Sequence, residues 1–103
     1  MDKIYSSLEE LTLNDGATVK LTMNFARLLY LRGHGREKEV AAGMSMLNAK
    51  DLDMLDCPKL FYCAYLCANE EPAYTFEEFT ALIPFDLEIC AKLFQKLTTS
   101  KKK

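Results

Sequence analysis

The sequence predicts a mainly α protein, a compact bundle of about five helices with a small N-terminal β-hairpin. Three observations carry this. Apolar residues alternate with polar ones on both sides of Asn14-Asp15-Gly16. Beyond residue 24 the apolar spacing changes to the helical period, with capping residues between segments. One segment, PKLFYCAYLCA, is apolar almost all round, as expected of a central buried helix.

Each element follows from local chemistry. Residues 8–22 read as a hairpin, with the Asp-Gly turn suited to positive φ and Leu11, Leu13, Val19 and Leu21 on one face. A lone hairpin is marginal in water, so that face must pack on helices or on another subunit. Asn24 is a candidate N-cap for a helix to about Arg32, with Phe25, Leu28, Leu29 and Arg32 on the 3.6 period and Leu31 widening the stripe. Gly33-His34-Gly35 breaks it. A second helix is expected over 37–48, with Val40, Met44 and Leu47 inward and Gly43 weakening it by about 1 kcal/mol relative to Ala.

Asp51 could cap a short DLDMLDC turn. Pro58 suits the first turn of the central helix, which runs to Ala68. Thr75-Phe76-Glu77-Glu78 is a capping box, ahead of a short helix with Phe76, Phe79 and Ile83 inward and Pro84 as its stop. Asp86 opens the last helix, with Leu87, Cys90, Phe94 and Leu97 inward. The 103 residues suit a single domain, with 1–7 and 98–103 expected as mobile tails.

Composition bounds the function. Half the residues are hydrophobic and 27% are charged, which excludes a disordered chain. The net charge of −2 offers no global basic field for nucleic acid or anionic lipid. No apolar run approaches the roughly 20 residues of a membrane helix, and the N-terminus has no signal core. A cytoplasmic chain is expected. Cys57, Cys63, Cys67 and Cys90 contain no C-x-x-C. Cys63 and Cys67 share a helical face and could help hold a soft metal, but read first as reduced core thiols.

No catalytic constellation emerges, and no cofactor or metal site is expected. The single histidine, His34, lies between two glycines and reads as a solvated turn residue. Glu9-Glu10, Glu70-Glu71 and Glu77-Glu78 are adjacent pairs, and neighbours on a helix diverge by about 100°, so they form no acid/base dyad. Asp51, Asp53 and Asp56 resemble part of a calcium loop but lack its sixth-place glycine and twelfth-place glutamate.

Two features suggest partners instead. Arg27, Arg32, Arg36 and Lys38, with His34, form a basic cluster suited to a solvated face, to pairing with the acidic side of another subunit, or to phosphates. In the last case the chain would be a small helix-turn-helix DNA-binding regulator whose duplex affinity falls steeply with salt. Met44, Met46 and Met54, followed by Tyr62, Tyr65 and Tyr74, could fill the core or line an adaptable groove for an amphipathic helix. The partner-binding candidates are Met44, Leu47, Met54, Tyr62 and Tyr65.

Taken in order, LNDGATVKLTMNFARLLYLR, the DLDML turn, KLFYCAYLCAN and YTFEEFTALIPFD resemble the tail assembly chaperones of long-tailed, siphovirus-type bacteriophages, especially those of Gram-positive hosts. The resemblance runs from about Leu11 to Leu97 and is densest from Leu52 to Ile83. It is one of pattern and spacing, and the four cysteines and the Gly33-His34-Gly35 break depart from it. The resemblance implies an ATP-independent chaperone in the host cytoplasm, absent from the mature virion. Such a chaperone coats the tape-measure protein, self-associates into a ring or spiral, and yields to tail-tube protein as the tube polymerises. It also implies a longer product made by programmed frameshifting. Lys101-Lys102-Lys103, encoded by A-rich codons, would mark such a site.

Overall fold

The computed structural model describes residues 8–47 and 54–98, with Met54 described through its backbone alone. The Asp51 cap, the aspartates at 51 and 53, the tails 1–7 and 99–103 with their lysines, and the Met54 side chain lie outside the described residues. The described chain has the expected fold, five helices and an N-terminal antiparallel hairpin.

The hairpin pairs β1 (Glu9–Thr12) with β2 (Thr18–Leu21), Leu11 opposite Val19. Its loop combines an i→i+3 bond from Gly16 N to Leu13 O at 2.9 Å with a ladder bond from Leu13 N to Ala17 O at 2.7 Å. Only Gly16 takes positive φ there, at 92°, the conformation of a type I turn closed by a glycine bulge. The Asp15 carboxylate accepts from Ala17 N at 3.0 Å. Leu11, Leu13, Val19 and Leu21 are all buried, as their alternation predicts.

Helix α1 (Phe25–Arg32) starts where Asn24 Oδ1 accepts from Arg27 N at 3.0 Å. Its inward residues are Leu28 and Leu31, whereas Phe25 is 81% exposed and Leu29 also faces out. Of the expected stripe, Leu28 and Leu31 face the core, whereas Phe25, Leu29 and Arg32 form the outer face. Helix α1 is apolar on both sides, and periodicity could not tell which side meets the core.

Helix α2 (Glu37–Leu47) corrects a second face. Val40, Gly43 and Met46 are buried, Met44 is half-buried against the core, and Leu47 is exposed. The buried arc centres on Gly43 because the missing side chain lets α2 come very close to the central helix. A Cβ built on Gly43 would sit 2.6 Å from Cys63 Cβ.

One 3-10 turn (Met54–Asp56) runs directly into α3 (Cys57–Ala68), with Pro58 in its first turn. Every residue from Leu60 to Cys67 is buried, and α2, β2, α1, α4 and α5 all pack around this helix. Helix α4 (Phe76–Leu82) has both halves of its capping box. Glu78 N donates to Thr75 Oγ1 at 3.1 Å, and Thr75 N to Glu78 Oε1 at 3.0 Å. Thr75→Ala should cost about 1 kcal/mol in a urea titration, while Thr75→Ser stays near wild type.

Helix α5 (Leu87–Thr98) opens on Asp86, whose Oδ1 accepts from Glu88 N at 3.1 Å and Ile89 N at 3.2 Å. Its buried residues are Cys90, Leu93 and Leu97. Phe94 is half-buried and Leu87 is exposed, and the inward face is instead Cys90, Leu93 and Leu97. Thr98, expected in the tail, ends the helix and donates to Phe94 O at 2.9 Å.

Candidate functional site

The expected partner groove is not assembled as the sequence suggested. Tyr62 and Tyr65 are 1% and 2% exposed and belong to the core. Their hydroxyls explain why. Tyr62 Oη donates to Tyr74 O at 2.8 Å, and Tyr65 Oη accepts from Ala73 N at 2.8 Å and Tyr74 N at 3.3 Å. The two phenols thus pin the segment leading into α4, and each satisfies its own buried oxygen. Burial raises the Tyr62 pKa above the ordinary phenol value. Both rings also pack on Phe79, at centroid distances of 5.4 and 5.0 Å.

A groove does exist nearby, about 210 Å³, between α2, α3 and α4. Ala42, Tyr62 and Phe76 form its apolar part, and Lys38, Lys59 and Glu39 complete its lining. Phe76 meets the Tyr62 ring edge-on at 5.5 Å. Of the expected partner-binding residues whose side chains are described, Tyr62 alone lines it.

A polar trough of about 380 Å³ shares Glu39, Tyr62 and Phe76 with this groove and runs on past Arg36 and the 72–77 segment. A smaller cleft, about 160 Å³, lies between β1 and α5, where Glu9 and Glu10 face Lys92 and Lys96. Outside these hollows, Phe25, Leu29 and Tyr30 on α1 and Phe85 and Leu87 around the start of α5 stand exposed, while the exposed Ile89 lines the β1–α5 cleft.

The basic segment divides by role. Arg27 reaches across to the end of α3, where Nε donates to Cys67 O at 3.0 Å and Nη2 to Leu66 O at 3.2 Å. Asn69 Nδ2 donates to Tyr65 O at 2.8 Å. Three carbonyls that α3 leaves unbonded at its end are thus capped, and the α3 dipole receives a cation from a different helix. Sequence reasoning missed this because the capping charge lies 40 residues away. Arg27→Ala should cost about 1–2 kcal/mol by chemical denaturation, whereas the exposed Arg32→Ala should change stability by less than about 0.5 kcal/mol.

Arg27 also lies 4.9 Å from the Tyr30 ring centroid, and His34 stacks on the same ring at 3.9 Å. His34 Nδ1, 2.7 Å from Tyr30 O, must carry the proton. Arg36 pairs with Glu39 at 3.3 Å. Arg32 and Lys38 are the exposed cations left in the segment, beside the acidic first turn of α2, Glu37 and Glu39.

All four cysteines are buried thiols. The hydrogen bond between the Cys63 and Cys67 thiols, together with burial, holds the Cys63 pKa far above the ordinary thiol value. That hydrogen bond, the Asn24 backbone and the Arg27 charge pull Cys67 down. Among the described residues, no three His, Cys, Asp or Glu side chains are placed to hold a metal ion. Among the same residues, no helix is long and apolar enough to cross a membrane.

No family model, no curated protein and no solved structure matches this chain.

Proposed function

We propose that the chain is a holdase of the tail-assembly-chaperone type. It binds the helical tape-measure protein of a long-tailed phage in the host cytoplasm and keeps it soluble, without ATP or chemistry, until tube protein takes its place. One observation carries the reading. The core closes around α3, yet large apolar side chains remain outside it, with Phe25 at 81% and Phe85 at 84% exposure. Scattered apolar residues are ordinary on a surface, but an i,i+4 pair such as Phe25 and Leu29 on a helix already apolar on its inner side is a docking face. The order of elements and the sequence pattern of the tail chaperones support the same reading. Arg32, exposed and without an ion pair among the described residues, suits contacts between copies in a ring or spiral.

Co-expression tests this directly. A tape-measure protein is expected in the soluble fraction when the chain is present and in the pellet when it is absent. The double variant Phe25→Ser, Leu29→Ser should lose this effect while keeping the helical circular dichroism spectrum. A tape-measure protein equally soluble without the chain would refute the reading.

A further inference from the structure

We infer that the groove between α2, α3 and α4 is an anchor pocket for a partner segment carrying one large apolar side chain with carboxylates one helical turn before and after it. The inference rests on the holdase reading and names the chemistry that one part of its surface takes.

Size comes first. At about 210 Å³ the groove is smaller than the roughly 300–1,000 Å³ typical of small-molecule sites, and it suits one leucine- or phenylalanine-sized side chain. Ala42 keeps the space open on α2, Phe76 offers it ring surface from α4, and the buried Tyr62 backs it from α3.

Charge selects the flanks. Among the described residues, two ammonium groups, Lys38 and Lys59, line the groove with one carboxylate, Glu39, which is already held by Arg36 at 3.3 Å. Lys38 has no ion pair among the described residues. Lys59 meets Asp56 at 3.2 Å, but that aspartate is not part of the lining. Among the described residues the lining therefore carries more ammonium than carboxylate, with Lys38 as its unpaired cation. The β1–α5 cleft, by contrast, balances Glu9 and Glu10 against Lys92 and Lys96. A basic flank would meet Lys38 and Lys59 unfavourably, whereas carboxylates on both sides of an apolar anchor would meet them both.

The test uses the full chain and two alanine-based helical peptides. Each carries a central leucine, flanked one turn away on both sides by glutamate in one peptide and by glutamine in the other. Titration followed by amide chemical shifts should move Ala42, Tyr62 and Phe76. The glutamate peptide should bind about fivefold tighter at low salt, as two exposed ion pairs allow. That advantage should shrink as salt rises. The double variant Lys38→Gln, Lys59→Gln should abolish the difference while leaving the rest of the spectrum in place. Equal affinity for the two peptides, shifts centred on Phe25 and Leu29 instead, or no shifts at all would each overturn the inference. A tape-measure protein still held soluble in those cases would leave the holdase reading standing. Peptide selectivity without any solubilisation would sink the holdase reading and keep the pocket.

Discussion

Phe79→Ala is expected to remove about 3–5 kcal/mol of stability, the cost of deleting a buried aromatic ring and leaving a cavity. Phe79 has no exposed surface, and it lies at 22° to the Tyr65 ring and 56° to that of Tyr62. Losing it loosens the two phenols that pin the 73–74 backbone, so α4 should lose its dock as well as its anchor. A small domain has only about 5–15 kcal/mol in total. The variant should therefore be partly unfolded at 37 °C, with a urea midpoint well below wild type. Phe79→Leu, which keeps most of the volume, should lose much less. A loss below about 1 kcal/mol for the alanine variant would contradict the placement of α4 on the core.

Gly43→Ala is the second large effect, and its sign runs against helix propensity. Alanine in the middle of an exposed helix gains about 1 kcal/mol over glycine. Here the new Cβ would lie 2.6 Å from Cys63 Cβ and 2.9 Å from its Sγ, so α2 and α3 must separate. Overpacking of this kind costs about 1–3 kcal/mol, and the net result should be destabilising. The pattern of rescue identifies the cause. Cys63→Ala removes the Sγ contact but keeps the closer Cβ, so it should restore less of the loss than Cys63→Gly. A Gly43→Ala protein more stable than wild type in thermal unfolding would place α2 farther from α3 than described.

Much of the fold is legible in the sequence because its signals are local. The Asn24 cap, the Thr75 capping box, the Asp-Gly turn and Pro58 each act within a few residues, and each forms as expected. The burial of α3 is legible because a helix apolar on every side has one place to go. What failed was the choice of face. On α1, both Phe25–Leu29 and Leu28–Leu31 satisfy the helical period, and only the neighbours decide. On α2, glycine reads locally as a weakness, yet in the fold it is the contact point. The candidate groove was legible only in Tyr62. Its remaining residues come from three helices, and no pattern in one stretch of sequence brings Lys38, Lys59 and Phe76 together.

The turn of the hairpin is tied to residues that come much later in the chain. Asn14 N donates to Leu82 O at 2.8 Å, and Tyr74 Oη donates to the Asp15 carboxylate, 59 positions earlier, at 3.1 Å. Asn69 Nδ2 reaches Lys20 O in the second strand across 49 positions. During synthesis at about 5–20 residues per second, the hairpin would therefore leave the ribosome several seconds before these partners exist. Non-local closure of this kind slows folding relative to a simple helical bundle. The nascent hairpin, with its face of Leu11, Leu13, Val19 and Leu21, must wait with that face uncovered until the central helix and α4 arrive. The step that completes the native state is then the docking of the last third of the chain onto its first.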